Sequence, residues 1–131
     1  MVFGVFDRLH HGHISFLEQA AGLGDELIVA VARDSIVQEL KKKRPIDSQD
    51  MRMSRIAGVE GVTHVMLGDE QLSSYNVINM HKPDIICLGY DQHWIKQDIE
   101  DRIAKGLLPQ IKLCMADAYE PGRLHTSLLT F

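Results

Sequence analysis

His10 and His13 stand three residues apart with Gly12 between them, and the pair is flanked by two apolar patterns of different period. Before it runs Val2-Phe3-Gly4-Val5-Phe6, which reads as a buried strand. After it, Ile14, Phe16, Leu17, Ala20, Ala21 and Leu23 recur at three- and four-residue spacing, the stripe of an amphipathic helix packed on a sheet. The histidines therefore occupy a strand-to-helix junction. The first N–H groups of a helix lack internal partners and its dipole adds partial positive charge, so such a junction collects anions. Histidines three apart can point to one side of the opening turn, and Gly12, without a Cβ, lets a ligand approach the backbone. Imidazole donors and a row of amides facing one pocket suit charge developing on phosphate oxygens. Two other readings of these residues stand beside it: surface histidines in a turn, and a zinc site from His10, His11 and His13. Adjacent residues seldom both ligate one metal, which weighs against zinc.

Further polar groups fall at comparable junctions. Glu26 to Ala32 is a near-continuous apolar run of parallel-strand type, followed by a short helix through Ile36, Val37 and Leu40 that Asp34 or Ser35 could cap. The run Lys41-Lys42-Lys43-Arg44 comes next and is stopped by Pro45. In a parallel α/β unit that segment lies on the same rim as the first junction, although a solvated surface turn is the plainer reading of four cations. Ser48 is placed to cap a helix through Met51, Arg52, Ile56 and Val59, which sets Arg52 in its first turns. Thr63 to Gly68 and Pro83 to Leu88 read as the third and fourth strands, Ile95 to Leu107 as a helix and Ile111 to Met115 as a fifth strand. The fourth strand ends in Gly89-Tyr90-Asp91-Gln92, with Trp94 close by, so a close backbone approach and hydrogen-bonding side chains fall at the ligand rim.

Strands alternating with helices, apolar on both faces, specify an α/β fold: a doubly wound, Rossmann-like parallel sheet of about five strands with helices on both faces. A chain of 131 residues forms one domain of this kind. With 45% hydrophobic and 24% charged residues the composition is that of a globular protein, and no segment approaches the roughly 20 apolar residues of a membrane span. A formal charge of -4 argues against a general nucleic-acid binder, which needs a basic face; the run Lys41 to Arg44 is the local exception. Cys87 and Cys114 lie in apolar runs and read as core thiols of a reducing compartment, which, with no export signal at the start, implies the cytoplasm.

The string Gly4-x-Phe6-Asp7-x-x-His10-x-Gly12-His13 resembles the signature of the HxGH nucleotidyltransferase superfamily, the cytidylyltransferase-like proteins, and the likeness extends over nearly the whole chain. Leu88-Gly89-Tyr90-Asp91-Gln92 is similar to the corresponding stretch of archaeal-type FAD synthetases, more than to that of glycerol-3-phosphate cytidylyltransferases. The resemblance implies a single nucleotidyltransferase domain over residues 1–131, moving a nucleoside monophosphate from ATP or CTP to a phosphorylated acceptor with loss of pyrophosphate. FMN is the first choice of acceptor and glycerol 3-phosphate, with CTP, the alternative. It further implies His10, His13 and Lys42 as catalytic; Phe6, Asp7, Gly12, Gly89, Asp91, Gln92, Thr126 and Ser127 at the nucleotide; and Lys43 and Arg52 at the acceptor or its phosphates. Mg²⁺ arrives with the triphosphate, Asp7 reaching it directly or through water, without a dedicated protein metal site. The partners are small molecules, not nucleic acid or membrane, and a homodimer matches many relatives. Leu124-His125-Thr126-Ser127-Leu128-Leu129 resembles the family's closing Ile-Ser-Ser/Thr-Thr-Lys-Ile segment. His125 there replaces a hydroxyl and Leu128 a frequent cation, so a nucleotide-binding protein without turnover is the alternative of another class.

Overall fold

The structure, a computed structural model, describes residues 1–118. Strands and helices follow in the order β1 (Val2–Gly4), α1 (His11–Ala21), β2 (Ile28–Val31), α2 (Asp34–Lys41), α3 (Gln49–Ala57), β3 (His64–Leu67), α4 (Asn76–His81), β4 (Ile85–Leu88), α5 (His93–Ala104) and β5 (Lys112–Met115), alternating except for the pair α2 and α3. Every ladder is parallel: β1 pairs with β2, β2 with β3, and β4 with β5. The two ladders meet between β1 and β4. There the Cys87 N–H donates to the Met1 carbonyl at 3.0 Å and the Met1 amino group to the Ile85 carbonyl at 2.8 Å. The five strands thus run in the order β3, β2, β1, β4, β5, with a seam in the middle.

That order reverses direction at β1, since the chain first adds strands on one side and then crosses to the other. In open α/β sheets ligands bind outside the carboxyl ends of the strands at such a switch point. The core explains why the sheet holds together. Leu17, Ala20, Val29, Val31 and Ile56 are buried in one cluster, on the side of α1 and α3, while Ile78, Ile86, Leu88 and Ile99 are buried in another, on the side of α4 and α5. Helices therefore cover both faces, as the apolar pattern of the strands requires.

Three boundaries differ from the sequence expectation. β1 stops at Gly4 because Phe6 and Arg8 take positive φ of 54° and 50°, which turns the chain out of the sheet. α1 begins at His11, ahead of His13, and is capped at Gly22, two residues before Gly24. Neither Asp34 nor Ser35 caps α2, whose N-cap is Arg33 without a side-chain bond; the Asp34 carboxylate is drawn to an arginine described below.

Candidate active site

The opening turn of α1 is closed by its own histidines. His10 is the N-cap, and its ring Nδ1 accepts from the Gly12 N–H at 3.1 Å, while the His10 N–H donates to Nδ1 of His13 at 3.2 Å. This is a capping box in which two imidazoles stand where Ser or Thr and Glu usually stand. A main-chain N–H can only donate, so both Nδ1 atoms are bare acceptors and each ring carries its proton on Nε2. The rings stack with centroids 3.7 Å apart. Burial, reinforced by His10 and Lys41, pushes the pKa of His13 down to about 4, against the opposing pull of Asp7 and Asp91. His13 is therefore a neutral N–H donor at neutral pH. The cap consumes the Gly12 amide, which removes one member from the row of amides expected to face a ligand.

Gly4 and Phe6 prepare this turn. A Cβ at Gly4 would lie 2.6 Å from the Phe6 ring, so only glycine leaves room for the aromatic to fold back over the strand. Phe6, 4% exposed, then meets His13 edge-on at 5.5 Å and stacks on Phe16. Phe6, expected at the nucleotide, borders the cavity over the strand ends and also supports His13.

A cavity of about 900 Å³ opens over the carboxyl ends of the strands. His10, Gly12, His13, Asp7, Gly89, Asp91 and Gln92 all border it, so the structure gathers the first junction and the end of β4 at one site. Gln92 also ties the two ladders together: its Oε1 accepts from the Gly89 N–H at 2.8 Å and its Nε2 donates to the Phe3 carbonyl at 3.0 Å. With both ends of its amide engaged, Gln92 shapes the rim. Leu40, Leu72, Tyr90 and Trp94, between 39% and 60% exposed, also border the cavity and give it an apolar lip. Thr126 and Ser127 lie outside the described residues.

The basic segment departs most from expectation. Lys41, the last residue of α2, borders the cavity, whereas Lys42 is the C-cap of that helix in the left-handed conformation, and neither it nor Lys43 borders the site. Of these three lysines the one that borders the cavity is thus one residue earlier than the resemblance implies. Counting from the helix end would have found it, because Lys41 completes the last turn through Leu40, and the αL cap then turns the chain away.

Arg52 is not at a phosphate position. It is completely buried and spends its guanidinium on the protein: Nε donates to the Asp47 carbonyl at 3.1 Å, Nη1 to the Val5 and Ala32 carbonyls at 2.9 and 2.7 Å, and Nη2 to Asp34 Oδ1 at 2.6 Å. Asp7 is likewise committed. Its two carboxylate oxygens accept from the Ile46 and Asp47 N–H groups, both at 2.8 Å. Burial would raise its pKa, but those amides, with Arg52 and Lys41 nearby, hold the carboxyl below its ordinary value. Asp7 is therefore a clamp on the loop after α2 that also borders the cavity, and each carboxylate oxygen keeps a second lone pair beyond the one that the amide uses.

The chain matches known proteins over most of its length. Residues 1–106 match the cytidylyltransferase-like family. An FAD synthase of Aciduliprofundum boonei is 45% identical over 105 residues, 80% of this chain and 69% of that protein. An FAD synthase of Thermoplasma volcanium is 40% identical over 127 residues, 97% of this chain and 87% of that one. Among solved structures, one titled as the lipopolysaccharide core biosynthesis protein from Thermoplasma volcanium GSS1 superposes with a TM-score of 0.83 at 38% identity, covering 92% of this chain and 96% of its own. With the strand order, the capped histidine turn and these relatives in agreement, the chain belongs to the cytidylyltransferase-like family.

Proposed function

We propose that this nucleotidyltransferase joins AMP from ATP to FMN, giving FAD. An oxygen of the FMN phosphate attacks the α-phosphorus of ATP; a new P–O bond forms there as the bond to the β-phosphate bridging oxygen breaks, and pyrophosphate leaves. Catalysis of such a step is positioning plus stabilisation of charge on phosphoryl oxygens. His10 and His13 offer Nε2–H donors fixed in tautomer by the helix cap, and Lys41 offers a point charge beside them. Thr126 and Ser127 would hold the β- and γ-phosphates, as the resemblance implies.

The observation that carries the choice of FMN is the composition of the cavity. Its volume of about 900 Å³ sits at the upper end of ligand pockets, and its histidine floor is joined to an apolar lip of Leu40, Leu72, Tyr90 and Trp94. A planar flavin ring gains from covering such side chains; glycerol 3-phosphate has no apolar body to place there. The FAD synthase relatives support the same acceptor. The divalent cation is Mg²⁺ brought by the triphosphate, and when bound it screens the phosphoryl charge. Asp7, Asp91 and Asp117 border the cavity and are the carboxylates that would assist that cation, directly or through water. Cys87 and Cys114 face each other across β4 and β5 as free thiols, which supports a reducing, cytoplasmic setting. Among the described residues no helix is long and apolar enough to cross a membrane. A homodimer of this chain is part of the same proposal, from its family.

The test is incubation with Mg²⁺, FMN and each of the four nucleoside triphosphates, with chromatography of the flavins. FAD from ATP alone is expected. CDP-glycerol from CTP and glycerol 3-phosphate, without FAD from ATP, would reassign the acceptor, and triphosphate binding without pyrophosphate release would replace the enzyme with a binding protein.

A further inference from the structure

Arg52 touches four places that are far apart in sequence, and two of them bracket one segment. Asp34 is the first residue of α2, and its carboxylate oxygen lies 2.6 Å from Nη2 of Arg52; Asp47 lies in the loop beyond the other end of α2, and its carbonyl accepts from Nε at 3.1 Å. Between these anchors runs the stretch that carries Lys41. The remaining contacts, to the carbonyls of Val5 and Ala32, fix the same guanidinium to the chain just after β1 and β2. The loop end is held a second time from the histidine side. Asp7 accepts from the Ile46 and Asp47 amides, and the Asp47 carboxylate accepts from the Arg8 N–H at 3.2 Å. At the start of α2, the Asp34 N–H also donates to Gln49 Oε1 at 2.9 Å, which ties it to the first turn of α3.

We propose that Arg52 is a positioning residue: by holding Asp34 and Asp47 at the two ends of α2 and its loop, it sets Lys41 against the His10–His13 turn. A planar fork with five donors can satisfy acceptors in divergent directions at once, which a lysine ammonium on the same path does not do. A buried guanidinium with this many protein acceptors is also costly to disrupt, because any unpaired acceptor left behind remains out of water. The arm of the device that runs through Lys41 has a local signature when it fails. The charged and titratable groups acting on His13 are His10, Lys41, Asp7 and Asp91. If α2 shifts, Lys41 withdraws from His13 and the imidazole becomes easier to protonate.

The experiment follows the His13 ring by NMR titration, beside the melting midpoint and turnover, in Arg52→Lys, Asp34→Asn and Lys41→Met. Asp34 is 42% exposed at its side chain, so Asp34→Asn removes one arm of the device while leaving a folded protein to measure. Expected are a turnover loss of about 10- to 100-fold for Arg52→Lys and about 3- to 10-fold for Asp34→Asn, the scale of a small misplacement of a reacting group. In each, and in Lys41→Met, His13 should titrate at higher pH than in the parent. Adding Asp34→Asn to Lys41→Met should raise it no further. Loss of the Asp34 charge by direct field would move His13 the other way, so the direction separates repositioning from a simple charge effect. An Asp34→Asn protein with unchanged His13 titration and unchanged turnover would overturn the proposal, as would an Arg52→Lys protein that loses only its melting midpoint. The turnover arm rests on the nucleotidyltransferase reading, whereas the titration arm needs no substrate and would stand if the acceptor were not FMN.

Discussion

The turn that opens α1 and the end of α2 both bring polar groups to the rim of the cavity, yet they are held by different means. In the first, His10 and His13 are bound to each other's backbone within a single helical turn, and the groups that cap the helix are the groups offered to the ligand. In the second, Lys41 reaches the cavity unassisted by local bonds, and the order behind it comes from Arg52, whose acceptors are 5, 18, 20 and 47 residues away. A site built from local contacts keeps its geometry when the rest of the fold loosens. A site built from distant ones makes its geometry depend on tertiary packing. The contrast can be attacked from either side by substitution.

The largest effect should come from the local turn. Replacing His10 or His13 with Ala is expected to lower turnover by about 10²- to 10³-fold, the usual cost of removing one preorganised donor to a developing oxyanion. Because each ring also caps the helix, the same substitutions should cost about 1 kcal/mol of stability, as lost N-caps do. Pyrophosphate release and thermal melting measure the two parts. Full turnover with a lowered melting midpoint would mean that the histidines are caps and nothing more.

Lys41→Ala should cost about 10- to 100-fold in turnover, the loss of a hydrogen bond to a charged group being worth about 1.5 to 3 kcal/mol. Lys42→Ala and Lys43→Ala should stay within about twofold, since neither side chain borders the cavity. A larger loss at Lys42 than at Lys41, read from the same assay with the acceptor varied, would reverse the assignment.

Gly4→Ala should destabilise by about 1 to 3 kcal/mol, the range for overpacking, because the new methyl meets the Phe6 ring at 2.6 Å. The ring must then move, and His13, which rests on it, should lose turnover along with stability. A fall in stability without any change in turnover would detach Phe6 from the catalytic turn.

The last effect is in pH and reads on stability alone. His13 titrates near 4 in the folded protein against 6.5 when free, so below 6.5 the unfolded chain takes up a proton that the native state refuses. Stability should therefore be fully retained above that value, decline as the pH falls from about 6.5 to 4, and lose no more through this group below 4. The decline should be shallower in His13→Gln, which denaturant melts across that window would reveal.

What could be read in the sequence follows the same division. The alternation of strands and helices, the five strands and the junction carrying His10 and His13 all rest on spacings within about ten residues, and each is present. The capping box itself was legible in principle, since His10 and His13 stand at the N-cap and N3 spacing, but histidine is not a usual member of it. Lys42 and Lys43 come from the resemblance alone, and the resemblance does not fix where α2 ends; the αL turn at Lys42 leaves Lys41 as the lysine that borders the cavity. Arg52 could not be read at all. An arginine early in a polar-faced helix looks exposed until β1, β2 and the loop at Asp47 close over it, and those contacts exist only in the folded chain. The clamp made by Asp7, which does border the cavity, was hidden for the same reason, its two amide partners lying 39 and 40 residues on.

The claim at the centre is that the helix cap presets both imidazoles as Nε2–H donors to the nucleotide, and ¹⁵N NMR of the ring nitrogens at neutral pH tests it most directly. Both rings should show the Nε2–H tautomer before any ligand is added, and both Nε2 resonances should move when a non-hydrolysable ATP analogue with Mg²⁺ is titrated in. A ring protonated at Nδ1, a cationic His13, or a bound analogue that leaves both Nε2 resonances in place would contradict it.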